Sequence, residues 1–254
     1  MRAKPSEKRY VFVLGAPRSG TTLLQLLIAS HSEFRGCAGE SGVFTKQNLF
    51  DIRRRYCGLS EVEVSRLLCR CDNIVGFFDA LASIVTGEGK HRFVEKTPQH
   101  VLVLSRLLRW FPVSQFVHIV RDGRDCYCSA QSNSDVPQRH EANRFARYWK
   151  KCLRARQEAG NTKRIFDIRY EDLVHDPQSI LENVMTFLEV EYEHSQIFLA
   201  ARAGDARAIQ PAFKRLAESM GSESVGRWRS ELNLKEKQVF ARLVGNELHR
   251  YGYL

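Results

Sequence analysis

The chain has 254 residues, 39 Lys and Arg against 29 Asp and Glu for a formal net charge of +10, and 43% hydrophobic residues. That usage is globular: it excludes a disordered tail, a collagen-like repeat and a coiled-coil rod, and a core of this size needs no disulfide or metal staple. No apolar run reaches the ~18 residues of a membrane span; the nearest, Ile74 to Val85, carries Asp79.

Tyr10 to Leu14 predicts a short buried strand bounded by Gly15 and Pro17. Arg2, Lys4, Lys8 and Arg9 precede it, but the apolar stretch is too short for a signal peptide. The expectation is one soluble, cytoplasmic domain over residues 1–254, with a flexible N-terminus over 1–8. Thr21 to Ser30 predicts a helix with Leu23, Leu24, Leu27 and Ile28 on one face, and Ser60 to Val85 one or two amphipathic helices. His91 to Glu95 predicts a strand, Gln99 to Trp110 a helix stopped by Pro112, and Gln115 to Val120 a strongly apolar strand. Asp122 to Ser132 and Glu141 to Ala159 predict helices, and Arg164 to Arg169 a strand. Helices follow over Pro177 to Leu188, Ser195 to Ala201 and Lys235 to Tyr251. Short apolar strands alternating with helices predict an α/β fold with a central parallel sheet flanked by helices in three layers. Ligands bind such sheets beyond the carboxyl ends of the strands, here after Leu14, Glu95, Val120 and Arg169.

The seven cysteines include no Cys-x-x-Cys and no zinc-site spacing. Reduced, buried thiols in a reducing compartment are expected. Basic residues are scattered apart from Arg53 to Arg55, which favours a small anionic ligand over nucleic acid.

After the first strand comes Gly15-Ala-Pro-Arg18-Ser19-Gly20-Thr21-Thr22. A Gly-rich turn opening a helix aims several N–H groups and the positive helix end at one spot, a cradle for a tetrahedral oxyanion. The spacing resembles the triphosphate loop, but Thr21 stands where its Lys should be, and Arg18 can supply a cation instead. After the second strand, Lys96 in Glu95-Lys96-Thr97-Pro98 is placed to stabilise a leaving oxygen. After the third, Arg121 offers a fork of donors to a phosphate. Ser129 lies about two helical turns on, facing the same way. Arg124 and Asp125 read as a local ion pair.

Together these segments resemble the sulfotransferase family, whose donor is 3′-phosphoadenosine 5′-phosphosulfate (PAPS). Pro17 to Thr22 matches its 5′-phosphosulfate loop, Arg121 to Ser129 its 3′-phosphate motif, and Lys96 its catalytic-lysine segment. Arg169-Tyr170-Glu171-Asp172-Leu173 resembles its Tyr-Glu-Asp-Leu element, and Val225-Gly-Arg227-Trp228-Arg229 the late Gly-x-Trp segment covering the nucleotide. Arg18 is similar to the bacterial and tyrosylprotein-type branch. The resemblance implies a P-loop-like fold and PAPS bound by Arg18, Ser19, Gly20, Thr21, Thr22, Arg121, Ser129, Tyr170 and Arg227. It implies catalysis by Arg18, Lys96 and Glu40, with Glu40 as base and His100 as the second candidate, and no metal. The acceptor is expected to be a hydroxyl of a glycan, lipid or secondary metabolite, met by loops within 41–57, 58–89 and 133–140. A tyrosylprotein acceptor is not expected, since that branch is membrane-anchored. The alternatives are a small-molecule kinase with a variant loop, using Asp122 for magnesium, and a non-enzymatic nucleotide- or nucleic-acid-binding module.

Overall fold

The structure is a computed structural model that describes residues 4–37, 39–45, 59–87, 89, 91–133, 136–198 and 224–254. Its strands are β1 (Val11–Gly15), β2 (Phe34–Gly36), β3 (Arg92–Lys96), β4 (Gln115–Val120) and β5 (Ile165–Arg169). They form one five-stranded sheet in the order β2-β3-β1-β4-β5, and every pairing is parallel. The helices are α1 (Thr21–Ala29), α2 (Glu61–Arg70), α3 (Ile74–Thr86), α4 (Leu104–Trp110), α5 (Gly123–Gln131), α6 (Ala142–Glu158), α7 (Tyr170–His175), α8 (Pro177–Leu188), α9 (Trp228–Glu231) and α10 (Leu234–Arg250).

All residues of β1 and β4 are buried, which is why β1 reads as an apolar run and β4 as one interrupted only by His118 after Gln115. Alternation along the strands feeds two cores. Phe12, Phe93 and Phe116 join Tyr10, Phe78 and Phe111 on one face. Val11, Val13, Val94 and Val117 join Leu24, Leu27, Leu181 and Met185 from α1 and α8 on the other. The expected three-layer α/β architecture is therefore present.

Several local expectations change. The Ser60 to Val85 stretch is two helices, because Ser60 caps α2 with a capping box and Asn73 caps α3 with its side chain. The helix expected from Gln99 opens as a 3-10 helix over Pro98–Val103 before α4. Its three-residue repeat brings Pro98, Val101 and Leu104 to one side, and all three are buried. The N-terminus is held down from Ser6, which is buried: Ser6 N donates to Trp110 O at 2.8 Å and Ser6 Oγ to Asp79 at 2.7 Å. Cys37, Cys126, Cys128 and Cys152 are buried free thiols, whereas Cys69 is exposed and Cys71 half-buried; Cys57 lies outside the described residues, as does the end of the helix expected over 195–201. Among the described residues, no helix is long and apolar enough to cross a membrane.

β5 is tied to its neighbours through Asp167. His118 Nδ1 of β4 lies 2.8 Å from Asp167 Oδ1, and Arg156 of α6 donates to both carboxylate oxygens at 2.8 and 2.5 Å. Burial pushes the Asp167 carboxyl up, but His118 and Arg156 outweigh it and lower its pKa from 3.8 to about 2. A depressed carboxyl stabilises the fold above its unfolded pKa and loses that contribution as pH falls through the folded value. Urea midpoints of the wild type and Asp167→Asn should therefore differ at pH 5 and converge towards pH 2. A constant gap over that range would contradict the linkage.

Candidate active site at the carboxyl edge of the sheet

The turn after β1 is built for tight backbone packing. A Cβ on Gly15 would lie 2.3 Å from Ile119 O and 2.8 Å from Ser19 Oγ. Ser19 N and Oγ both donate to Ala16 O, at 3.2 and 2.7 Å, so this side chain closes the turn. Arg18 (φ 67°) and Gly20 (φ 96°) then take left-handed backbone, which turns the chain into α1. No side chain caps α1. The amides of Thr21, Thr22 and Leu23 thus have no acceptor within the helix and, with the helix dipole, form an anion cradle. Thr21 is buried and Thr22 half-buried.

The Arg121 segment meets this loop directly. Arg18 Nε donates to Ser129 Oγ of α5 at 3.2 Å, and Arg121 Nη1 donates to Arg18 O at 3.1 Å. Arg121 Nη2 donates to Ser224 O at 2.6 Å, and the guanidinium lies 4.3 Å above the Tyr170 ring. Tyr170 OH and Ser224 Oγ are 2.8 Å apart, and a Cβ on Gly20 would come within 2.4 Å of Tyr170 Cδ2. The fold therefore brings together Arg18, Gly20, Arg121, Ser129 and Tyr170. Arg121 Nε is buried without a partner, an unused donor in the same spot.

Arg227 stands apart, its Nε donating to Glu231 at 2.7 Å. Its neighbours engage the site instead: Gly226 N and Trp228 N donate to the Asp125 carboxylate at 2.7 and 3.0 Å. Burial pushes the Asp125 carboxyl up, against the pull of those amides and of Arg121. The expected Arg124–Asp125 pair is not formed. Consecutive helix residues do not face each other, and Arg124 grips Asp122 in a fork at 3.0 and 2.7 Å while lying 3.6 Å over the Trp228 ring. Asp122, the metal ligand of the kinase reading, is thereby held by a cation.

Lys96 ends β3, its backbone in register with Val13 two residues before Gly15. Its side chain is 5% exposed, and Nζ donates to Glu40 Oε1 at 3.3 Å; Glu40 is 33% exposed and so reaches solvent. His100 is fully buried between two partners. Phe44 N donates to its Nε2 at 3.4 Å, which leaves the proton on Nδ1, 2.9 Å from Glu95 Oε2. That placement gives His100 no access to an acceptor hydroxyl.

Sequence reasoning missed Glu95 as a site residue; an acidic residue in the apolar strand His91 to Glu95 was the available signal, and it is fully buried. It accepts from Ser41 Oγ at 2.7 Å and Thr97 Oγ1 at 2.6 Å. Burial alone would raise its carboxyl, but His100, Thr97 and Ser41 hold it below the ordinary range. Glu171, singled out only as part of the Tyr-Glu-Asp-Leu element, accepts from Asp122 N and from Tyr253 OH, both at 3.0 Å, and fixes the start of α5 to the chain's last residues. No local sequence signal marks that contact.

Compared with known proteins, residues 10–194 match the model of the sulfotransferase family. The chain belongs to the sulfotransferase family. A putative protein-tyrosine sulfotransferase of Caenorhabditis briggsae is 23% identical over 202 residues, covering 75% of this sulfotransferase and 69% of its own length. The sulfotransferase domain of the Synechococcus PCC 7002 olefin synthase superposes with a TM-score of 0.68 at 19% identity, covering 95% of this chain and 98% of that one. A mouse sulfotransferase solved in complex with PAP superposes with a TM-score of 0.60 at 16% identity, over 97% and 86% of the two chains. The expected family, the fold and an enzyme of sulfuryl transfer are thereby borne out, and the kinase alternative is not favoured.

Proposed function

We propose that this sulfotransferase takes PAPS as donor and moves its sulfuryl group to a hydroxyl of a glycan, lipid or secondary metabolite. The observation that carries the reading is the junction of the two anion-binding segments, Arg18 Nε on Ser129 Oγ at 3.2 Å and Arg121 on Arg18 O at 3.1 Å. A nucleotide with phosphate at both 5′ and 3′ positions fits that junction. The uncapped start of α1 accepts one anion, and the unpartnered Arg121 Nε with Ser129 accepts the other. The PAP held by the mouse relative supports the same donor class.

When bound, PAPS supplies an activated sulfuryl group. The amides of Thr21 and Thr22 with Arg18 hold the 5′ end, and Tyr170 offers its ring to the base. Lys96, nearly buried, faces the oxygen on which charge grows as the bond breaks. Its three N–H donors let it keep Glu40 and serve that oxygen together. Glu40 reaches solvent and takes the proton of the acceptor hydroxyl. Fixed cations and positioning supply the rate, and the triphosphate-loop Lys that partners magnesium-bound γ-phosphate is replaced by Thr21.

Arg121→Ala should weaken binding of 3′-phosphoadenosine 5′-phosphate (PAP) by about 1.5–3 kcal/mol, the worth of a charged hydrogen bond. Adenosine 5′-phosphate, which lacks the 3′ group, should bind nearly as before. Calorimetric titration of both ligands decides it: equal weakening would remove Arg121 from the 3′-phosphate site.

A further inference from the structure

The ladder between β2 and β3 ends at Gly36 and Val94, and among the described residues beyond it no backbone ladder joins the Glu40 segment to Lys96. Residues 39–42 have neither strand nor helix structure, and the chain turns at Gly39 (φ 94°) and Gly42 (φ 61°). Side chains from the exit of β3 hold it instead. Ser41 Oγ donates to Glu95, Gly42 N donates to Thr97 Oγ1 at 3.0 Å, and Phe44 N donates to His100. Thr97 Oγ1 donates in turn to Glu95 Oε1, so one hydroxyl links the buried carboxylate to the backbone of the Glu40 segment. Gln25 of α1 anchors the segment's start, donating to Cys37 O at 3.2 Å. The Ser41–Glu95 contact lies immediately beside the Glu40–Lys96 contact in both segments. The two contacts join consecutive residues on both sides, so fixing Ser41 on Glu95 holds the adjacent Glu40 within reach of Lys96.

We propose that Glu95 and Thr97 are positioning residues for sulfuryl transfer, holding the Glu40 carboxylate against the Lys96 amine. The chemistry rests on the functional reading above; the geometry stands without it. Thr97 is the sharper probe, because Thr→Val removes the hydroxyl without changing charge.

Trace acetylation of Lys96 by acetic anhydride at fixed pH, followed by peptide mass spectrometry, reads the contact without needing the acceptor. An amine freed from a carboxylate partner is acylated faster. Glu40→Gln should speed labelling of Lys96 about two- to tenfold, and Thr97→Val should reproduce most of that increase. Thr97→Ser, which keeps the hydroxyl, should label at the wild-type rate. Thr97→Val added to Glu40→Gln should bring no further increase, whereas a general loosening of the segment would add to it. A wild-type rate in Thr97→Val, or an additive double variant, overturns the proposal. Circular dichroism and melting confirm each fold; if Thr97→Val does not fold, Ser41→Ala carries the same expectation and the same failure. Titration of the wild type with PAP separates the two claims. No PAP binding with the Thr97 effect intact overturns the donor reading alone; PAP binding without the Thr97 effect overturns the positioning role alone.

Discussion

Replacing Glu40 by glutamine is expected to slow transfer about 10²–10⁴-fold, or roughly 3–5 kcal/mol of barrier, the usual cost of losing a general base. The amide keeps the size of the side chain and a hydrogen bond but cannot take the proton as a carboxylate does. Glu40 contacts Lys96 and reaches solvent, while the anion cradle lies at the start of α1. Affinity for PAP should therefore stay almost unchanged. Lys96→Ala should also slow transfer and additionally weaken the donor. Release of PAP from PAPS is the assay, with the acceptor found by screening a lysate for sulfate gain. The control is His100→Gln, whose residue is fully buried: it can reach Glu40 only indirectly, through Phe44 N and Glu95, and should slow transfer less than Glu40→Gln. Normal turnover of Glu40→Gln beside a dead but folded His100→Gln would reverse the assignment.

Gly20→Ala should be the most damaging change in the donor loop. At φ 96° any L side chain is strained, at a cost of about 1–2 kcal/mol. The new Cβ would also sit 2.4 Å from Tyr170 Cδ2, and displacing a packed ring adds about 1–3 kcal/mol. Gly160→Ala is the matched control, since Gly160 has φ 72° with nothing within 4 Å of its Cβ position. Urea unfolding should show the larger loss for Gly20→Ala, and PAP affinity should fall only there. Equal losses at the two glycines would mean that Tyr170 does not press on the loop.

The sheet and the donor loop were legible because their signals are local. Buried parallel strands read as apolar runs, and Gly15 to Thr22 carries its turn and its helix start in consecutive residues. The link between loop and Arg121 segment was legible only as two motifs. Their contact, Arg18 to Ser129, spans 111 residues, a separation that spacing cannot measure. The Glu95 network was hidden for the same reason, since its bonds to the Glu40 segment join residues 54 to 56 apart. Arg124 misled because adjacent opposite charges suggest a pair, whereas helix geometry turns neighbours about 100° apart; the non-helical N-cap Asp122 folds back onto Arg124, and Asp125 goes to the Gly226 and Trp228 amides.

The most direct test of the donor assignment is calorimetric titration of the wild-type protein with PAP in the presence of EDTA, beside ATP with magnesium. Saturable PAP binding that needs no divalent ion and is stronger than binding of adenosine 5′-phosphate is expected. Binding of ATP with magnesium in preference to PAP would contradict it.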